Sequence, residues 1–219
     1  MKILQSGTWL NTVSYYDKKY RIIQGITENH LGGKDWVTNK FNFIGNITES
    51  YTTHKNGTHT YTIKERYEYD DDGRLLKQYH QWNTNPEVLL TTLEYNELGQ
   101  VIDKKIHSTS GGSSYLQSID YRYNIKGWLT RINDIVLTAD ASDDHADVYG
   151  MRFLYNEVDA GLNNIAKYNG MLSAVRWNTA SPTIPSSSYK YSYDRFNQLT
   201  EADFFNGTSA TSSYDVSNL

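Results

Sequence analysis

Cysteine is absent from this chain of 219 residues. That excludes disulfides, thiolate catalysis and cysteine-based zinc sites, and it leaves open whether the compartment is reducing or oxidising. No basic stripe is present either. The net charge is -4 and lysine and arginine are scattered singly, so nothing in the sequence attracts a phosphate backbone, and nucleic acid is not an expected partner. No apolar run approaches the roughly 18 residues that a membrane-spanning helix needs. Met1 to Gly7 lacks the apolar centre of a signal peptide, so any export address is expected outside this segment. A Gly-x-Ser-x-Gly elbow, a phosphate loop and a paired-histidine motif are all missing, which withholds support from nucleophilic and phosphoryl-transfer chemistry. The chain reads as a non-enzyme that needs no cofactor.

What it has is tyrosine. Nineteen Tyr stand against three Pro, three Met and six Phe, so rings with a polar tip carry most of the apolar mass. Such residues suit a pleated surface with one edge near water, and they favour β-sheet over a helical bundle. Length alone allows one sizeable domain or two small ones. Helical spacing is hard to find, and in residues 157–167 Gly161 and two asparagines argue against a turn of helix.

Laid against itself, the chain repeats. Tyr67-Glu68-Tyr69-Asp70-Asp71-Asp72-Gly73-Arg74-Leu75 reads as aromatic, any, aromatic, Asp, two residues, Gly, any, Leu. The frame returns from Leu93 through Tyr95, Asn96 and Gly99 to Val101, and again through Tyr121, Tyr123, Asn124, Gly127 and Leu129. It returns once more through Tyr191, Tyr193, Asp194 and Leu199, with Asn197 in the glycine slot. Weaker copies hold Tyr16 and Asp17, Phe43 with a shortened turn, and Tyr155 with Asn156. With the second aromatic as marker (16, 43, 69, 95, 123, 155, 193), the spacings are 27, 26, 26, 28, 32 and 38. This predicts about seven units over residues 1–219, with insertions growing toward the C-terminus.

Each slot has a physical reason. Aromatics two apart share one face of a strand. Asp or Asn bonds to backbone two residues on and opens a turn. Glycine supplies the positive φ that a tight hairpin connection requires, and the aliphatic residue enters the next strand. The unit is a β-hairpin. One hairpin is marginal in water, so the units are expected to pair side by side into an antiparallel ribbon that twists and curls as strands accumulate. Turn-rich stretches at 82–87, 108–114 and 181–188 fall between the units and read as surface loops.

The aromatic-x-Tyr-Asp-x-x-Gly-Arg-Leu run at Tyr67 to Leu75 resembles the repeat of the YD/RHS family, and the copy at Tyr123 to Leu129 resembles its Bacteroidetes type. The resemblance implies a curled shell whose wall is built from hairpins. In that setting the chain is an internal fragment of a larger secreted or cell-surface protein, a toxin-delivery or adhesin body. Its implied partners are the remaining repeats and a C-terminal domain of the same polypeptide, and an outer-membrane secretion machine in transit. The Asp-Pro-x-Gly segment with a self-cleaving aspartate that closes many such shells is not found here, so the resemblance extends to the wall and not to an effector or its processing.

Other candidates have plainer readings. Asp140 to Asp147 is dense enough in carboxylates for Ca²⁺ but lacks the ordered ligand frame, and it reads as a solvated insertion. His54 and His59 bracket an Asn-Gly turn without a third zinc ligand in view. The Asn-x-Thr triplets at Asn46, Asn56 and Asn206 match glycosylation acceptors and turns equally. Trp9, Trp36, Trp82, Trp128 and Trp177 support an alternative function, a carbohydrate-binding or adhesive module with exposed rings as its platform.

Overall fold

The computed structural model describes Gly7 and residues 9–138, 146–181, 186–207 and 209–217. Asp140 to His145 of the acidic cluster, and residues 182–185 of the proline-containing loop, lie outside the described residues.

The fold is all-β and antiparallel. The strands are β1 (Thr12–Tyr16), β2 (Ile22–Glu28), β3 (Lys34–Phe41), β4 (Ile47–Asn56), β5 (His59–Tyr69), β6 (Leu75–Trp82), β7 (Val88–Tyr95) and β8 (Val101–Ser108). They continue as β9 (Gln117–Tyr123), β10 (Leu129–Ile132), β11 (Tyr149–Leu154), β12 (Ala174–Thr179), β13 (Ser187–Tyr193), β14 (Leu199–Asn206) and β15 (Ser209–Ser217). Their order in the sheet follows their order in the chain, from β1 to β15. Every described connection is therefore a local hairpin.

The chain divides into two compact units, one of residues 1–93 with 106–114, the other of residues 94–105 with 115–219. In the first unit most strand residues are half-buried, and Leu89, at 2% exposure, is the one buried aliphatic side chain among the described residues. Stability here rests on backbone ladders and cross-strand pairs. One such group is Arg66, whose guanidinium lies 3.5 Å from the Tyr79 ring centroid and pairs with Glu87 at 2.7 Å.

The second unit has a packed core. Leu154 lies directly opposite Ala174 across β11 and β12, and Phe205 of β14 falls on the same face. Leu162, from the loop between β11 and β12, closes over them, and all four are buried. The loop is pinned from within. Asn164 Oδ1 accepts from the Asp159 amide at 2.7 Å, and its Nδ2 donates to Glu157 O at 2.8 Å and to Ser173 Oγ at 2.7 Å.

Candidate functional site: the tyrosine and Asx turn frame

The turn frame is the recurring chemical element. At the β5–β6 turn, Gly73 N donates to Asp70 O and Asp70 N to Arg74 O, each at 3.0 Å. Asp70 Oδ1 takes the Arg74 amide at 2.8 Å, and Oδ2 takes Arg74 Nε at 2.6 Å. The same closure recurs at β1–β2, where Asp17 accepts from the amides of Lys19 and Arg21 at 2.7 and 3.0 Å. In the second unit Asn96 accepts from Leu98 N and Gln100 N, Asn124 from Lys126 N and Trp128 N, and Asp194 from Phe196 N and Gln198 N, all at 2.8–3.0 Å. A short side chain with two acceptor lone pairs can gather two turn amides in this way, which accounts for Asp and Asn sharing the slot.

The glycine slot is left-handed throughout. Gly73, Gly99 and Gly127 have φ of 81°, 77° and 77°, Asn197 has 63°, and in the first copy Tyr20 takes the slot at 60°. A further restraint acts at Gly73, where an added Cβ would lie 3.1 Å from Asn46 Nδ2, an atom that donates to Gly73 O. Beside five of these turns the ladder slips by one residue, at Tyr15/Tyr16, Lys40/Phe41, Glu68/Tyr69 and Ser192/Tyr193, with the matching slip at Leu129/Arg131 on the far strand. The turn itself is a three-residue loop closed around left-handed Gly73, and the slip is a separate bulge farther along the ladder, where Tyr69 faces Leu75 and Glu68 faces Lys77.

The marker tyrosines tie one hairpin to the one before it. Tyr69 Oη donates to Ile47 O at 2.7 Å, Tyr123 to Val101 O at 2.9 Å, Tyr155 to Leu129 O at 3.1 Å and Tyr193 to Leu172 O at 2.8 Å. Side chains just past the turn make a second tie. Arg21 Nη1 donates to Asn42 O, Asn46 Nδ2 to Gly73 O and Gln100 Nε2 to Gly127 O, at 3.1–3.2 Å. Within each unit these turns recur at every second connection, and so they line one edge.

The electrostatics follow from the contacts. The Arg21 main-chain amide, with its side chain, holds the Asp17 carboxyl below its ordinary value. Partial burial pushes Asp70 upward, but the Arg74 side chain and amide outweigh it and the net shift is down. Burial raises Tyr69, Tyr121, Tyr155, Tyr191 and Tyr193, and pushes Tyr67 up to about 12. Each of these hydroxyls is therefore a neutral donor at physiological pH.

The remaining candidates are placed as follows. Tyr16 and Tyr95 end β1 and β7, and Leu75, Leu129 and Leu199 open the strands that follow their turns. Tyr155 keeps its tie, but Asn156 opens no five-residue turn; a loop of residues 155–173 takes its place. His54 pairs with Asp35 at 2.5 Å, while His59 packs on Tyr61, so the two histidines do not converge on one point. Trp82 is 41% exposed and stacks on Tyr61, Trp177 is packed among Tyr189 and Phe204, and Trp128 leans on Tyr155. Two features escaped the sequence reading. The tyrosine ties depend on strand register, which spacing does not reveal. Asn29, which accepts from Leu31 N and Gly33 N as the frame residues do, follows no aromatic pair.

No family model matches the chain, and no curated protein matches it. Among solved structures it is similar to the crystal structure of TcdB2-TccC3-Cdc42, at 12% identity and a TM-score of 0.33, over 94% of this chain and 15% of that one. It is similar also to TcdB2-TccC3 without its hypervariable C-terminal region, at 10% identity and a TM-score of 0.32, over 96% and 14% of the two chains. The chain thus spans about one seventh of the length of those two chains. A porin-like protein from Bacteroides uniformis ATCC 8492 matches at 13% identity and a TM-score of 0.28, over 94% of this chain and 92% of that one.

Proposed function

We propose that the chain is a stretch of wall in a larger RHS/YD-type shell, secreted or displayed at the cell surface, with a structural and encapsulating role and no catalysis of its own. The observation that carries this reading is the set of tyrosine hydroxyls, each donated to a carbonyl of the preceding hairpin 21–26 residues upstream. A device that joins each hairpin to the last, and is repeated along the chain, serves extension of a sheet. Twisted sheets of many strands curl, and a curled wall encloses or displays whatever the neighbouring polypeptide supplies. The partners of this reading are flanking repeats, a C-terminal domain of the same polypeptide and an outer-membrane secretion machine.

The edges supply the test. The strand order ends at β1 and β15. β1 reads TVSYY, without charge or proline, and all five residues are exposed. Unprotected edges pair with other chains. Expressed alone, the 219-residue chain is expected to self-associate with rising concentration in sedimentation velocity, and Val13→Lys is expected to shift it toward monomer. A chain that stays monomeric at all concentrations would contradict the wall reading.

A further inference from the structure

Four arginines stand in one cross-strand row in the second unit. Arg122 is directly opposite Arg131, Arg131 opposite Arg152, and Arg152 opposite Arg176, across β9, β10, β11 and β12. Directly opposed like charges destabilise a sheet, and cross-strand neighbours stand only about 5 Å apart. Each arginine has a carboxylate beside it. Arg122 pairs with Asp120 at 3.0 Å, Arg131 with Asp134 at 2.8 Å, Arg152 with Glu157 at 2.6 Å and Arg176 with Asp159 at 3.0 Å. The result is a band of alternating guanidinium and carboxylate.

The band borders a cavity. It is a half-open pocket of about 470 Å³, lined by Arg122, Thr130, Arg131, Asp134, Arg152 and Glu157, with Ile135 and Val136 on its apolar side. That volume lies in the range of small-molecule sites. Arg131 and Arg152 meet their carboxylates through Nη1 and Nη2 respectively, and their side chains are 37% and 43% exposed. A guanidinium carries five donors in a fixed fork, so one carboxylate contact leaves most of them for a ligand.

We propose that this cavity binds an acidic oligosaccharide of the uronate class. The sugar carboxylates accept from Arg131 and Arg152, and the sugar hydroxyls donate to Asp134 and Glu157. The alternation selects this class. A neutral sugar brings no anion to the donors that Asp134 and Glu157 leave open on Arg131 and Arg152, whereas an acidic peptide brings carboxylates and no hydroxyls to meet Asp134 and Glu157. A nucleic acid is more densely charged and would face those carboxylates along its whole length. The site is separate from the turn frame, and it stands or falls independently of the wall reading.

The test is calorimetric titration of the full chain with trigalacturonate, with maltotriose as the uncharged sugar and hexaglutamate as the acidic peptide. Trigalacturonate is expected to bind saturably, at least about tenfold tighter than either control. Arg131→Gln and Arg152→Gln are each expected to weaken it about tenfold with the far-ultraviolet circular dichroism unchanged. Bound trigalacturonate is also expected to shield Arg131 and Arg152 from phenylglyoxal. Equal affinity for maltotriose or for hexaglutamate overturns the proposal. So does the absence of saturable binding by the unmodified chain, or unshielded arginines, and these two results decide the matter even where a glutamine variant loses its sheet.

Discussion

Raising the pH through about 10 to 12 is expected to unfold the sheet in step with tyrosine ionisation. Tyr67 is pushed up to about 12, chiefly by burial. Burial also raises Tyr69, Tyr121, Tyr149, Tyr155, Tyr191 and Tyr193 above their ordinary values. The sign follows from the direction of the shift. A tyrosine whose folded pKa lies above the unfolded one holds its proton more tightly when folded, so its contribution is complete below about pH 10 and is lost as the pH climbs through the folded value. Tyr69, Tyr155 and Tyr193 add a second cost, because an ionised phenolate can no longer donate to the preceding hairpin's carbonyl. Tyrosinate absorbance and far-ultraviolet circular dichroism, followed together, are expected to give coincident transitions. Sheet signal lost well below pH 10, or unchanged after all tyrosines have titrated, would contradict this. The acid limb has the opposite origin. Asp17 and Asp70 are lowered, so their contribution is present above about pH 4 and is lost as the pH falls through their folded values.

Leu154→Ala is expected to destabilise the second unit by about 3 kcal/mol. Leu154 is 1% exposed and packs with Leu162, Ala174 and Phe205. Truncation removes its buried methyl groups and leaves a cavity that the loop between β11 and β12 must collapse to fill. A control separates this from general sensitivity to substitution. Ile125 is fully exposed in the β9–β10 turn, so Ile125→Ala is expected to change stability by no more than about 0.5 kcal/mol. Urea unfolding read by hydrogen exchange of β11 to β14 amides checks both, and equal effects of the two variants would contradict the assigned core.

The hairpin unit was legible in the sequence because its chemistry is local. Asp70 or Asn124 gathers amides two and four residues on, Gly73 or Gly127 takes a positive φ, and Leu75 or Leu129 enters the next strand, all within nine residues. The antiparallel all-β class followed from the same units and from tyrosine abundance. What was not legible depends on register. The Tyr123 tie to Val101 requires knowing which carbonyl faces the ring, and the arginine row joins residues at unequal spacings that only pairing brings into line. The copy at Tyr155 shows the limit of the pattern. Its tyrosine bonds as the others do, yet the residues after Asn156 form a long loop that supplies Leu162 to the core, so the frame's turn half was replaced by packing.

Because the chain has no cysteine, engineered pairs can read strand register directly. Ser50 lies opposite Glu65 across β4 and β5, and Ser192 opposite Glu201 across β13 and β14. Opposed residues fall within disulfide reach, while a slip of one residue turns the side chains to opposite faces. Ser50→Cys with Glu65→Cys, and Ser192→Cys with Glu201→Cys, are expected to form intramolecular disulfides under mild oxidation, and Ser50→Cys with Lys64→Cys is not. If the slipped pair oxidises as readily as the aligned ones, the hairpins are not joined in the register that the tyrosine ties require.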